Sequence, residues 1–167
     1  MIRDLVKGAV SGTIATAAHT VVMMTGSRAG RSWKPPPKHI VRAVLPGSKH
    51  RPKPGENVLA TVAHVGFGAT AGGLFAIPFR RRRPRVAEGM AYGLAIWLVS
   101  YQGWVPGLGA MPPAHRDRPD RQAVLAAAHV TYGAALVLAL NALRRDEGRP
   151  AETGPVSRER PLTPTGH

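Results

Sequence analysis

Residues 57–79, NVLATVAHVGFGATAGGLFAIPF, and residues 122–143, QAVLAAAHVTYGAALVLALNAL, contain no Asp, Glu, Lys or Arg. Each holds the same pattern: Ala63-His64-Val65-Gly66-Phe67-Gly68-Ala69 in the first, Ala128-His129-Val130-Thr131-Tyr132-Gly133-Ala134 in the second. About 20 mainly apolar residues suffice to cross a hydrocarbon core of roughly 30 Å. Two further stretches, 8–27 and 89–115, are equally free of charge. The four windows hold 92 of the 167 residues, so all 32 charged side chains are crowded into the rest. A mean hydropathy of −0.11 therefore averages two unlike populations. The spacing predicts an all-α integral membrane protein with spans at about 5–26, 57–79, 87–106 and 122–143.

The windows are related in pairs. A small-xxx-small pair, Gly8 and Gly12, reappears as Gly89 and Gly93. A Pro-Pro-x-His turn at Pro36-Pro37-Lys38-His39 reappears at Pro112-Pro113-Ala114-His115. The Ala-His-Val motif and an Arg-rich stop, Arg80–Arg83 and then Arg144-Arg145, complete the series in the same order. Offsets of 81, 76, 65 and 64 residues mean that the second copy has a shorter connecting loop. Each copy is two spans and returns to its starting side, so the copies are parallel repeats about an axis along the membrane normal. The expected fold is a four-transmembrane-helix bundle made of two tandem helical hairpins. Small residues let helices approach where lipid gives no hydrophobic drive for association. Gly8, Gly12, Gly68, Gly89, Gly93 and Gly133 are therefore the expected packing positions, within the bundle or between copies of the chain.

The formal charge of +14 first suggests nucleic acid. The cations instead sit in the gaps between apolar windows, eight of them in 28–56 and five in Arg80–Arg85. Basic residues flanking spans orient helices and meet anionic headgroups, so the expected partner is the bilayer and not nucleic acid. Twelve cations on one side against eleven on the other do not fix topology, but the Arg80–Arg83 cluster abutting a span places that side inside. Both termini are then cytoplasmic. Residues 1–26 have a positive start and Ala15-Thr16-Ala17, as a signal peptide can. Lys7, His19 and the repeat relationship make them a transmembrane helix instead. The basic, proline-rich 28–56 loop is expected to hold a short interfacial helix at His39–Leu45, and residues 144–167 to be a disordered charged tail.

Chemistry is sparse. Cysteine is absent, which removes disulfides, thiol catalysis and iron–sulfur clusters. No nucleophile elbow, P-loop or dinucleotide fingerprint occurs, and Asp117 and Asp120 read as a solvated turn, so no catalytic residue is expected. His64 and His129 each lie about seven residues inside the outer end of their spans, and so does His19. At 1.5 Å per residue, all three share a layer roughly 10 Å deep. Ser100, the repeat partner of His19, and Tyr101 join that layer. Ionisable groups at such depth point to function. The layer is expected to sense pH or pass protons or small solutes. One rival is a redox protein with haem or a divalent metal at His64 and His129. Another is a scaffold with no ligand, its imidazoles only bonding across helices. Lys7 and Glu88 occupy equivalent positions and are expected to pair.

The chain resembles the YagU-like family of small uncharacterised bacterial inner-membrane proteins over roughly residues 5–143. The likeness lies in Gly8-x-x-x-Gly12, Pro35–Pro37, Ala63 through Gly68, Gly93 through Trp97, Pro106-Gly107-Leu108-Gly109 and His129 through Gly133. It implies a polytopic membrane protein loosely associated with acid resistance, and it supplies no catalytic residues. The 28–56 loop and the tail depart from it.

Overall fold

The computed structural model describes residues 1–29, 36–46, 54–112 and 116–146. Within them the structure is entirely helical: α1 (Ile2–Ala29), α2 (Pro36–Val44), α3 (Glu56–Ala76), α4 (Val86–Val99), a π-helical turn (Ser100–Trp104), α5 (Val105–Gly107) and α6 (Pro119–Asp146). Two of these, α3 and α6, are long and apolar enough to cross a membrane. The helix ends follow local chemistry. Asp4 in the first turn of α1 and Arg28 in its last complement the helix dipole. Gly55, at φ 74°, turns the chain into α3 through a left-handed conformation that costs glycine nothing. Glu88 reaches back 2.7 Å to the Arg85 N–H and caps α4. Pro36 and Pro37, expected as a turn, instead open α2, where a missing N–H is harmless. Arg144 and Arg145, expected in a tail, end α6; the remainder of that tail, 147–167, lies outside the described residues.

Helix α1 packs along both α3 and α6, and α4 packs along α6. Helices α3 and α4 meet through Tyr92, whose hydroxyl donates to Ala71 O at 2.8 Å, rather than along their lengths. Glycine makes the close contacts. A methyl group on Gly12 would meet the Gly68 carbonyl and lie 3.1 Å from Gly72 Cα; one on Gly93 would meet the His129 carbonyl. All six expected packing glycines sit at such crossings. The hairpins differ in register, however. Gly8 meets Gly72 and Gly12 meets Gly68, whereas Gly89, the counterpart of Gly8, meets Gly133, the counterpart of Gly68. The cause is Val137, which stands where the first copy has Gly72. Its side chain blocks the deeper approach and shifts the second crossing by one helical turn, about 5.4 Å.

The faces are distributed opposite to those of a water-soluble helix. On α1 the outward residues are Val6, Val10, Ile14, Val21 and Met24, with Val10 and Ile14 46% and 50% exposed. Apart from Met23, the inward positions are small or polar: Gly8, Ser11, Gly12, Ala15, Thr16 and His19. Ser11 and Thr16 satisfy themselves on the carbonyls four residues back, at 2.7 and 2.8 Å. Outward apolar residues recur on α3 (Val58, Val62, Leu74) and α4 (Met90, Leu98, Val99). A core of Phe75, Ala76, Tyr132, Leu136, Val137 and Leu140 fills the half of the structure nearest the termini. Arg144 ties that end together, bonding Phe79 O at 2.9 Å and Asp4 at 3.1 Å.

Candidate functional site: three imidazoles beneath a cavity

Helix α1 runs antiparallel to α3 and α6, so a residue late in α1 meets residues early in the other two. This brings His19, His64 and His129 together from three helices. The His19 ring lies 5.1 Å from the His64 ring and 4.7 Å, edge-on, from the His129 ring. His129 Nδ1 is 2.8 Å from Leu125 O, and a carbonyl only accepts, so that nitrogen carries the proton. His19 Nε2, 3.4 Å from the same Nδ1, then faces a donor. His19 Nδ1 is buried and unpartnered. The second nitrogen of His129 and both nitrogens of His64 make no hydrogen bond among the described residues, although both rings border open space.

That space is a cavity of about 250 Å³ above the imidazoles. Its walls are mainly apolar: Met23 of α1, Ile40 and Val41 of α2, Ala60 and Phe67 of α3, and Leu125 of α6. The α4 side contributes Trp97 and Tyr101, stacked at 5.8 Å, together with Trp104. The π-helical turn supplies Ser100, Tyr101 and Trp104; such turns are rare and recur at functional sites. Among the described residues no Asp, Glu, Lys or Arg lines the cavity. Ser100 and Tyr101 line its wall, but neither bonds an imidazole. Ser100 Oγ is 3.3 Å from Trp104 Nε1, and the Tyr101 hydroxyl donates to Asp117. The shifted register accounts for this, because it raises the counterpart of His19 by a turn.

Two ion pairs frame the mouth. Arg42 of α2 clasps Glu56 at the start of α3 with two hydrogen bonds, its Nε 2.6 Å from Oε2, and both side chains are nearly inaccessible. Hydrogen bonding to Glu56 holds Arg42 above its ordinary guanidinium range, outweighing desolvation. Asp117 is clasped by Arg121 of α6, Nε to Oδ2 at 2.8 Å, and accepts the Arg118 N–H and the Tyr101 hydroxyl. Asp117 is therefore a buried hub, not a solvated residue; Asp120 is exposed, as expected. Glu56 and Arg121 are repeat counterparts, 65 residues apart, so the two clasps occupy matching places with their charges exchanged. The matched positions carried that signal, but opposite charges conceal an equivalence that identity would reveal.

The expected Lys7–Glu88 pair is corrected. Arg82 takes both Glu88 oxygens, at 2.6 and 2.9 Å, because the turn between α3 and α4 folds six residues back onto the cap. Among the described residues no three His, Cys, Asp or Glu side chains are arranged to hold a metal ion.

No curated protein and no solved structure matches the chain. A family model described as a family of unknown function, DUF6789, matches residues 2–150, and the chain belongs to that family.

Proposed function

We propose that this DUF6789 member is a four-helix integral membrane protein whose imidazole-floored cavity is a one-sided binding site for a small solute. The carrying observation is the reversed distribution of faces on α1, with Val6, Val10 and Ile14 outward and Gly8, Ser11, Gly12 and His19 inward. Water disfavours that arrangement, whereas lipid solvates the apolar face and leaves small residues to pack. The length and apolarity of α3 and α6 support the same reading. In it, α1 and α4 with its continuation are the other two spans, and the YagU-like resemblance is retained.

Orientation is read from the densest cation cluster at a helix boundary. At the cavity end Arg42, Arg118 and Arg121 each pair with a carboxylate, and Arg28 and Arg116 are exposed singly. At the opposite end Arg80, Arg81 and Arg83 are exposed together shortly after α3. A cation cluster abutting a span is retained on the cytoplasmic side, so in this reading that end, with both termini, faces the cytoplasm of a bacterial plasma membrane and meets anionic headgroups there.

Binding is favoured over conduction because the space on the far side of the imidazoles narrows to about 30 Å³, bordered by Thr16, Gly68, Ile96 and Tyr132. Below it Ala15, Phe75, Leu136, Val137 and Leu140 are buried side chains of one core. Among the described residues no carboxylate lines the cavity to balance a protonated cluster, which ties occupancy to pH. The test uses the native absence of cysteine. Single cysteines at Asn57, exposed at the cavity end of α3, and at Arg81 are labelled with an impermeant maleimide in intact spheroplasts. Asn57→Cys is expected to react from outside and Arg81→Cys only after permeabilisation. Release of the protein by carbonate washing, or the reverse labelling, would overturn the reading.

A further inference from the structure

Resting on the membrane reading above, we propose that the cavity binds a neutral phenolic ring, entering from the lipid between α3 and the π-helical turn. Three observations lead there. First, the cavity opens sideways. Phe67 and Trp104 both line it and are 49% and 41% exposed, so neither side chain closes this wall. Between them α3 and α4 do not pack along their lengths, and Tyr92 joins them farther toward the termini. A molecule dissolved in the bilayer thus reaches the cavity without crossing the aqueous mouth, which α2 and the two clasps cover.

Second, the walls suit a flat ring without charge. Trp97, Tyr101, Trp104 and Phe67 offer aromatic surface, which favours offset or edge-to-face stacking. Among the described residues no charged side chain lines the cavity, and the nearby Arg42 and Arg121 are held by carboxylates. These residues offer an anion no counterion. The volume of about 250 Å³ exceeds the roughly 150 Å³ of an engineered cavity that accepts benzene, leaving room for ring substituents.

Third, the polar end asks for a donor. Because His129 Nδ1 gives its proton to Leu125 O, its other nitrogen is an acceptor. His64, with no hydrogen bond among the described residues, brings one N–H and one further acceptor. A hydroxyl satisfies both rings at once, donating to His129 and accepting from His64. An ether or a carbonyl oxygen accepts only and leaves His129 unmet, an omission that is costly away from water.

The experiment is titration calorimetry on the full chain in lipid nanodiscs, with empty nanodiscs subtracted. The probes are 4-hexylphenol, its methyl ether and hexylbenzene. The phenol is expected to bind saturably at one site and at least tenfold more tightly than the ether, with hexylbenzene weakest. His129→Phe, which keeps ring volume and removes the acceptor, is expected to abolish the preference for the phenol. Ala60→Trp, which fills the cavity, is expected to abolish binding of all three; if that variant does not fold, the His129→Phe comparison decides alone. Equal affinity for phenol and ether, unsaturable partitioning, or a preference that survives His129→Phe would overturn the proposal. A chain that inserts into nanodiscs yet shows no preference refutes the phenolic ligand alone, whereas a chain that does not insert refutes the membrane reading itself.

Discussion

Replacing Gly12 by alanine tests the packing logic most directly. The added methyl would overlap the Gly68 carbonyl oxygen and lie 3.0 Å from its carbon and 3.1 Å from Gly72 Cα. Every obstacle is backbone, so no side chain can swing aside and α1 must draw back from α3 by roughly 1 Å to regain ordinary contact. Overpacking typically costs about 1–3 kcal/mol. The upper half applies here, because the displacement loosens the whole crossing and is only partly offset by alanine's better helix propensity. Gly66, two residues from Gly68 on the same helix, is the control, since a methyl added there would have nothing within 4 Å. For a chain of this size about 2 kcal/mol corresponds to a fall in Tm of roughly 4–8 °C. Thermal unfolding in mild detergent, followed by circular dichroism, is expected to give that fall for Gly12→Ala and no loss for Gly66→Ala. Equal behaviour of the two variants would refute the claim that glycine serves approach rather than flexibility.

Three further outcomes follow from named contacts. Asp117→Ala strands Arg121 and the Tyr101 hydroxyl, and breaking such a buried pair is expected to cost about 3 kcal/mol; the same melting assay reads it, and a change below a third of that would refute the hub. Tyr132→Phe removes the 2.7 Å bond to Gly68 O and is expected to cost about 1 kcal/mol, with an unchanged melt as the contrary result. Leu136→Ala empties a fully buried position. In lipid the loss is packing rather than transfer from water, so about 2 kcal/mol is expected, the low end of the soluble range; a loss of about 4 kcal/mol or more would argue that the helices fold against water.

The parts of this protein that a sequence can carry are those written in single residues or in fixed spacings. Each of the four charge-free windows is occupied mainly by helix, and the short helix expected at His39–Leu45 appears as α2 over Pro36–Val44. The glycine positions were legible because close approach admits nothing larger. The meeting of His19, His64 and His129 was legible through depth, since antiparallel helices of known rise bring equal depths together. What was not legible depended on neighbours. The choice of Arg82 over Lys7 as the partner of Glu88 rests on the path of the 77–85 turn, and the burial of Asp117 rests on Tyr101 arriving from another helix.

By itself, then, the chain determined its helices, its packing glycines and the position of each imidazole along its helix, because periodicity, length and excluded volume act locally. Only the tertiary structure decided the register of each hairpin. Gly72 and Val137 hold matching places, yet one admits the facing helix and the other holds it off by a turn. That difference lifts Ser100 and Tyr101 out of the imidazole layer into the wall above it, since side chains on rigid helices move together when a crossing shifts.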